Sequence, residues 1–153
     1  MTAPDNLPVE LTTGATLRGT EYGWRIDSFP DAVAKAEAFG FACLGGQFQF
    51  RLNTGIYEMY WLCADSGDQE PNEIWTDYCH RSCSEVLNGF NKLLVESDFD
   101  QQASGWPMLR DAMAQAVDRN QFLVFVAYFV DETEYANLTS KARQLLRNGR
   151  ATR

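Results

Sequence analysis

The sequence predicts an α+β fold: a mainly antiparallel sheet of about four strands packed with helices. Three observations over its 153 residues lead there. Between Phe41 and Asp65, two apolar, aromatic-rich runs flank Asn53-Thr54-Gly55 in the pattern of a β-hairpin. On either side of the hairpin, apolar residues recur three and four positions apart, the spacing of an amphipathic helix. Farther on, Phe122 to Val130 is a β-branched and aromatic run short enough to be a fully buried strand.

Residues 1–19 show no sustained period and read as an irregular arm. Glu21 to Ile26 alternates, with Tyr22, Trp24 and Ile26 on one side as in a half-buried strand, although Gly23 interrupts it. Ser28 is placed to cap a helix from Pro30 to Phe39, whose first turn tolerates the proline and favours the charge of Asp31. Phe29, Val33, Ala36 and Phe39 form its apolar side, and Gly40 ends it.

In the first strand of the hairpin, Phe48, Phe50 and Leu52 share one face and Gln47, Gln49 and Arg51 the other. Gly45-Gly46 marks a bulge or a close backbone approach. In the second strand, Tyr57, Met59, Trp61 and Cys63 face one way, and Ile56, Glu58, Tyr60 and Leu62 the other. Both faces are largely apolar, which predicts an interior or doubly covered strand.

Asp65 to Asn72 is a polar loop, and Asn72 to Glu96 is the longest helical pattern, with Gly89 a candidate bend. Ser97 to Gly105 breaks the chain before a helix opened by Pro107, with Met108, Leu109, Ala112, Met113, Ala116 and Val117 as its buried stripe. That helix ends at Asp118-Arg119-Asn120. After the buried strand, Asp131 and Glu134 have capping-box spacing, with Asp in place of the usual Ser or Thr. They open a last helix whose inner side is Tyr135, Leu138, Ala142, Leu145 and Leu146, ending at Gly149 before a frayed basic tail over 149–153. The order is β-α-β-β-α-α-β-α. Without the extra helices this is the split arrangement of ferredoxin-like sheets, with helices on one face.

The length fits one domain spanning 1–153. With 45% hydrophobic residues and 20 aromatics, the chain can bury an ordinary core and is not of disordered composition. Thr2 to Leu17 lacks the basic and apolar regions of a secretory signal, and the longest apolar run is far short of the ~20 residues of a membrane helix, so a cytoplasmic protein is expected. Cys43, Cys63, Cys79 and Cys83 sit within apolar patterns, which favours reduced, buried thiols over a disulfide framework.

The formal charge of −8 is unevenly distributed. Residues 1–140 hold all 21 acids and eight bases, whereas Lys141, Arg143, Arg147, Arg150 and Arg153 follow with no acid among them. A body this acidic repels nucleic acid, whose binding rests on basic groups meeting phosphates. The basic end reads as a helix terminus with cations complementing the dipole.

Chemistry finds few footholds. Cys79-His80-x-x-Cys83 puts the two thiols on one helical face with His80 turned away, and no CxxC knuckle accompanies them, so packing accounts for these residues and no metal is expected. A simple hairpin register sets Cys43 opposite Asp65, which leaves Cys63 diagonal to it and disfavours a disulfide. His80, the only histidine, has Asp77 and Ser84 nearby in sequence but reads as a solvent-facing helical residue. The chain carries no nucleophile elbow, phosphate-binding loop or dinucleotide fingerprint. No catalytic residue and no cofactor are expected.

The distinctive cluster is Asp65, Asp68, Glu70, Glu73 and Asp77, five acids in thirteen residues without a base, just after the aromatic strand Tyr57 to Trp61 and with Trp75 among them. Acids beside amphipathic aromatics suit docking on a basic protein, where charge steers the encounter and rings anchor the contact. A solvated loop leading into a helix N-terminus accounts for the same acids. On the cluster and the strand before it, the chain resembles in profile the small acidic immunity proteins that bacteria keep against nuclease or other basic toxins. The resemblance implies a non-enzymatic protein-binding module, an inhibitor that occludes a cationic active site. Two further functions fit the sequence: a small-molecule-binding or enzymatic domain with an aromatic cleft using Arg51, and a homo-oligomeric structural protein pairing through an exposed sheet face.

Overall fold

The computed structural model describes residues 7–118 and 120–151, with side chains placed through Leu145. The described residues form one sheet of five strands: β1 (Ala15–Arg18), β2 (Glu21–Arg25), β3 (Ala42–Leu52), β4 (Gly55–Asp65) and β5 (Leu123–Val130). Its spatial order is β1-β2-β5-β3-β4, and every neighbouring pair is antiparallel. The helices are α1 (Val9–Thr12), α2 (Phe29–Ala38), α3 (Trp75–Glu96), α4 (Phe99–Ala103), α5 (Pro107–Gln115) and α6 (Glu132–Ala151). The chain is thus α+β, with one strand more than the sequence predicts.

The extra strand lies in the expected irregular arm. Residues 9–12 are helical, and β1 folds back on β2 with Ala15 opposite Trp24. β1 exposes its two central residues, so it owes its strand to pairing with β2 rather than to burial of its own, and its sequence carries no period. The Trp24 indole donates to the Leu11 carbonyl at 2.8 Å, which ties α1 to the core. Residues 1–6 of the arm lie outside the described residues, as do 152–153 of the predicted tail.

The strand order corrects the placement of the hairpin. β4, expected to be interior or covered on both faces, is an edge strand, with Ile56, Tyr60 and Trp61 exposed. β3 is interior, and β5 lies between β2 and β3. Because β5 runs antiparallel to both, β2 and β3 are parallel, and β2-α2-β3 is a split β-α-β unit. β5 suits the interior because its residues are buried on both faces, Tyr128 alone being half-buried.

A ring cluster forms the core between the sheet and the helices. Phe29 of α2 lies 4.8 Å from Phe90 of α3 and 4.7 Å from Phe125 of β5, and Phe48 of β3 stacks on Phe90 at 5.4 Å. All four are fully buried. Such packed rings are worth ~1 kcal/mol per pair beyond the area they bury.

The predicted bulge is present at Gly45, whose φ of +151° favours glycine, where β3 slips against β5 between Cys43 and Gly45. A larger irregularity breaks β4, for Phe48 pairs with Met59 while Gln47 pairs with Cys63. Tyr60, Trp61 and Leu62 therefore loop out between them. The alternation expected along β4 stops there, and Cys63 is exposed rather than buried.

Three helical expectations also change. The predicted break Ser97 to Gly105 contains α4, capped by Asp98, whose Oδ1 accepts from the Gln101 amide at 3.1 Å. α5 ends at Gln115, short of the expected Asp118: it buries Leu109 and Met113 and leaves Met108 exposed, and Val117 lies beyond it, exposed. In α6 the cap forms as expected, with the Glu134 amide donating to Asp131 Oδ1 at 2.8 Å. Its predicted inner side is covered only at Tyr135 and Leu138, however, while Ala142 and Leu145 are exposed. The side chain of Leu146 lies outside the described residues, and the helix runs past Gly149 to Ala151.

Candidate interaction surface

The residues expected to form one docking surface separate into two. Tyr57 pairs with Phe50 near the hairpin turn and Asp65 with Gly45 at the other end of the ladder, five residues apart on β3, a span of roughly 16 Å. The aromatic half gathers around the β4 bulge. Trp61 stacks on Trp106 with ring centroids 6.3 Å apart, Trp106 meets Tyr57 at 5.4 Å, and Tyr60 meets Trp61 edge-on at 5.0 Å. The Trp61 indole donates to Gln102 Oε1 of α4 at 3.0 Å. Tyr60 is nevertheless 71% and Trp61 47% exposed. The result is a shelf of rings fixed by their neighbours and open to solvent. Exposed Glu58 and Asp65 flank it on β4.

Sequence reasoning missed Tyr60, Gln102 and Trp106 as parts of this shelf. Trp106 reads as a break residue before Pro107, and only the packing of α4 and α5 brings it over β4. A tryptophan directly before a helix-opening proline was the available signal.

The acidic half is organised by a base from outside it. Arg81, on the second turn of α3, donates from Nε and Nη2 to the two Glu73 oxygens at 2.8 and 2.7 Å, from Nη1 to Glu85 at 2.8 Å, and from Nη2 to the Asp68 carbonyl at 2.8 Å. Those hydrogen bonds hold the Glu73 carboxyl down at about 2. Glu85, which also accepts from the Gly67 amide at 2.8 Å, is lowered chiefly by that bond. The loop is therefore strapped to α3, and Glu73 is paired. Asp65, Asp68, Glu70 and Asp77 remain exposed.

Trp75 belongs to neither exposed patch. It is half-buried, donates to the Gly40 carbonyl at 2.8 Å, and packs with Tyr78 and Tyr135 at 5.6 Å each. Between the acidic loop and α6 runs a groove of about 860 Å³, lined by Asp68, Glu70, Tyr135, Leu138, Ala142 and Arg143 among others.

Arg51 lies on the sheet face away from the core rings and is 92% buried (8% exposed). Its Nε donates to Gln49 at 3.1 Å, Nη1 to the Thr16 carbonyl at 2.6 Å and Nη2 to the Glu21 carbonyl at 3.1 Å. Burial lowers its pKa, yet it stays charged and joins β3 to the β1-β2 hairpin across β5. Gly23, the interruption in β2, lets it pass: a Cβ there would stand 3.0 Å from Arg51 Cζ. With its donors engaged by the protein, Arg51 is a structural strap.

Cys43, Cys79, Cys83 and His80 sit apart from the aromatic shelf, whereas exposed Cys63 lies beside it on β4. Cys43, Cys79 and Cys83 are buried free thiols, and burial raises Cys79 to about 11 and Cys83 to about 12. His80 points outward and meets Glu37 through Nδ1 at 2.7 Å. No helix among the described residues is long and apolar enough to cross a membrane. Compared with known proteins, the chain matches no family model, no curated protein and no solved structure.

Proposed function

We propose that this chain is a non-enzymatic protein-binding module, an immunity-type inhibitor that docks on a basic protein through the β4 edge. The observation that carries this reading is the aromatic shelf of Tyr60, Trp61 and Trp106. A tryptophan held by a hydrogen bond and a stacked neighbour has little rotamer freedom left to lose, so its apolar area is available for binding at low entropic cost. β4 also lies at the sheet edge, and the bulge carries the exposed rings of Tyr60 and Trp61. The acidic body, −13 over residues 1–140, supplies a field that draws in a cationic partner before the rings engage.

The test is coexpression with the product of the adjacent reading frame, followed by titration calorimetry at low and at physiological salt. A one-to-one complex is expected, weakened by salt and by Glu58→Gln with Asp65→Asn. Trp61→Ala with Tyr60→Ala should cost roughly 2–4 kcal/mol, as truncated anchors do. A complex indifferent to the aromatic variants rejects this surface. No complex with that product, nor with a panel of purified cationic nucleases, rejects the function.

A further inference from the structure

α6 is the element whose design exceeds its contacts. Its apolar residues Tyr135, Leu138, Ala142 and Leu145 repeat at spacings of three, four and three, the seam of a coiled coil. Only the first half of that seam is covered within the chain. From Ser140 to Leu145 every residue is exposed, and Leu145 itself is 72% exposed. The helix itself continues to Ala151.

We propose that α6 pairs antiparallel with α6 of a second copy of this chain, across a twofold axis at the level of Ser140. The seam is symmetric about that level, so the operation sets Leu138 against Ala142 of the second copy and Leu145 against the rim of Tyr135, which Trp75 and Tyr78 cover but which still lines the groove beside α6. A residue set that maps onto itself in this way is what an isologous interface requires. A large side chain meets a small one at Leu138 and Ala142, which lets the helices approach closely.

Charge selects both the partner and the direction. α6 begins with Glu132 and Glu134, and the sequence from Lys141 onward carries five bases and no acid. Antiparallel pairing lays each basic half across the other's acidic start, and it also opposes the helix dipoles. Parallel pairing would align like charges. The groove beside α6, lined by Arg143 on the helix side and by Asp68 and Glu70 on its far wall, extends the interface beyond this eleven-residue seam. These exposed acids would face Arg143 of the second copy. The acidic loop that sequence reasoning assigned to a foreign basic partner thereby finds a basic partner in the same chain. This inference does not depend on the aromatic shelf, which lies along β4.

The test is light scattering coupled to size-exclusion chromatography on the full chain over a range of protein concentrations. A mass of twice 17.3 kDa is expected. Leu145→Glu should give a monomer with an unchanged circular-dichroism spectrum, because the side chain is exposed within one copy. Arg143→Glu and Asp68→Lys with Glu70→Lys should each weaken the dimer, by about tenfold or more. Combining them in one chain should recover most of the loss. A chain that stays monomeric at high micromolar concentration overturns the proposal, as does a dimer that Leu145→Glu leaves intact. Failure of the combined charge swap to recover association overturns the antiparallel arrangement.

Discussion

Glu73 and Arg81 form a two-pronged ion pair, with Glu85 and the Asp68 carbonyl completing the arginine's partners. The arginine also lies over the Tyr78 ring at 5.2 Å. This one side chain decides how the acidic loop is held, and its effect has a definite pH signature. A carboxylate held at about 2 in the fold titrates near 4.3 when unfolded, so its contribution is complete above the ordinary carboxylate range. It is lost as the pH falls toward 2. Denaturation midpoints should therefore decline between about pH 5 and pH 2, with Glu85, also lowered, adding to the slope. Glu73→Gln should flatten that decline and leave the neutral plateau less stable. Equal acid limbs for the two proteins would mean that the pair does not form in solution.

α3 shows how an element can carry a residue that its own propensity disfavours. Gly89 lies in the interior of this helix of 22 residues, where alanine would be preferred by up to ~1 kcal/mol. It is there because α3 rests on β4: a Cβ at 89 would stand 2.7 Å from the Ala64 Cβ. Neither atom can rotate away, so the helix would have to lift. Gly89→Ala is expected to destabilise the protein by ~1–2 kcal/mol in denaturant titrations, against the propensity scale. A gain in stability would show that the helix and strand are less closely packed. The sequence offers Gly89 as a candidate bend; in the structure it marks a close approach of helix to strand. β4 teaches the complementary point. Its alternation in sequence is clear, but the loop-out of Tyr60 to Leu62 moves Cys63 to the exposed side and Ala64 to the buried one. Neither residue's side could be deduced from a strict period of two.

At the scale of the whole molecule, the thiols report on the integrity of the fold. Cys43, Cys79 and Cys83 are buried with raised pKa values, which leaves few thiolates to react, whereas Cys63 is exposed. One thiol per chain should react promptly with a maleimide under native conditions and four in denaturant, with mass spectrometry placing the fast site at Cys63. Prompt reaction at three or four sites would mean an open core. These residues also mark how far the sequence could be read. The α+β class, the hairpin around Asn53-Thr54-Gly55, the cap at Asp131 and the buried character of β5 follow from composition and short spacings, because period, turn and cap chemistry act over a few residues, whereas Ser28 makes no side-chain cap and α2 starts at Phe29. The sequence by itself determined those elements and the opposed charges of body and tail. Only the tertiary structure decided that β5 would separate β2 from β3, that β4 would be an edge, that Arg81 would strap the acidic loop, and that Trp106 would complete a shelf with Trp61. Each is a contact between residues distant in the chain, chosen by which apolar faces can be buried together, and no local pattern records that choice.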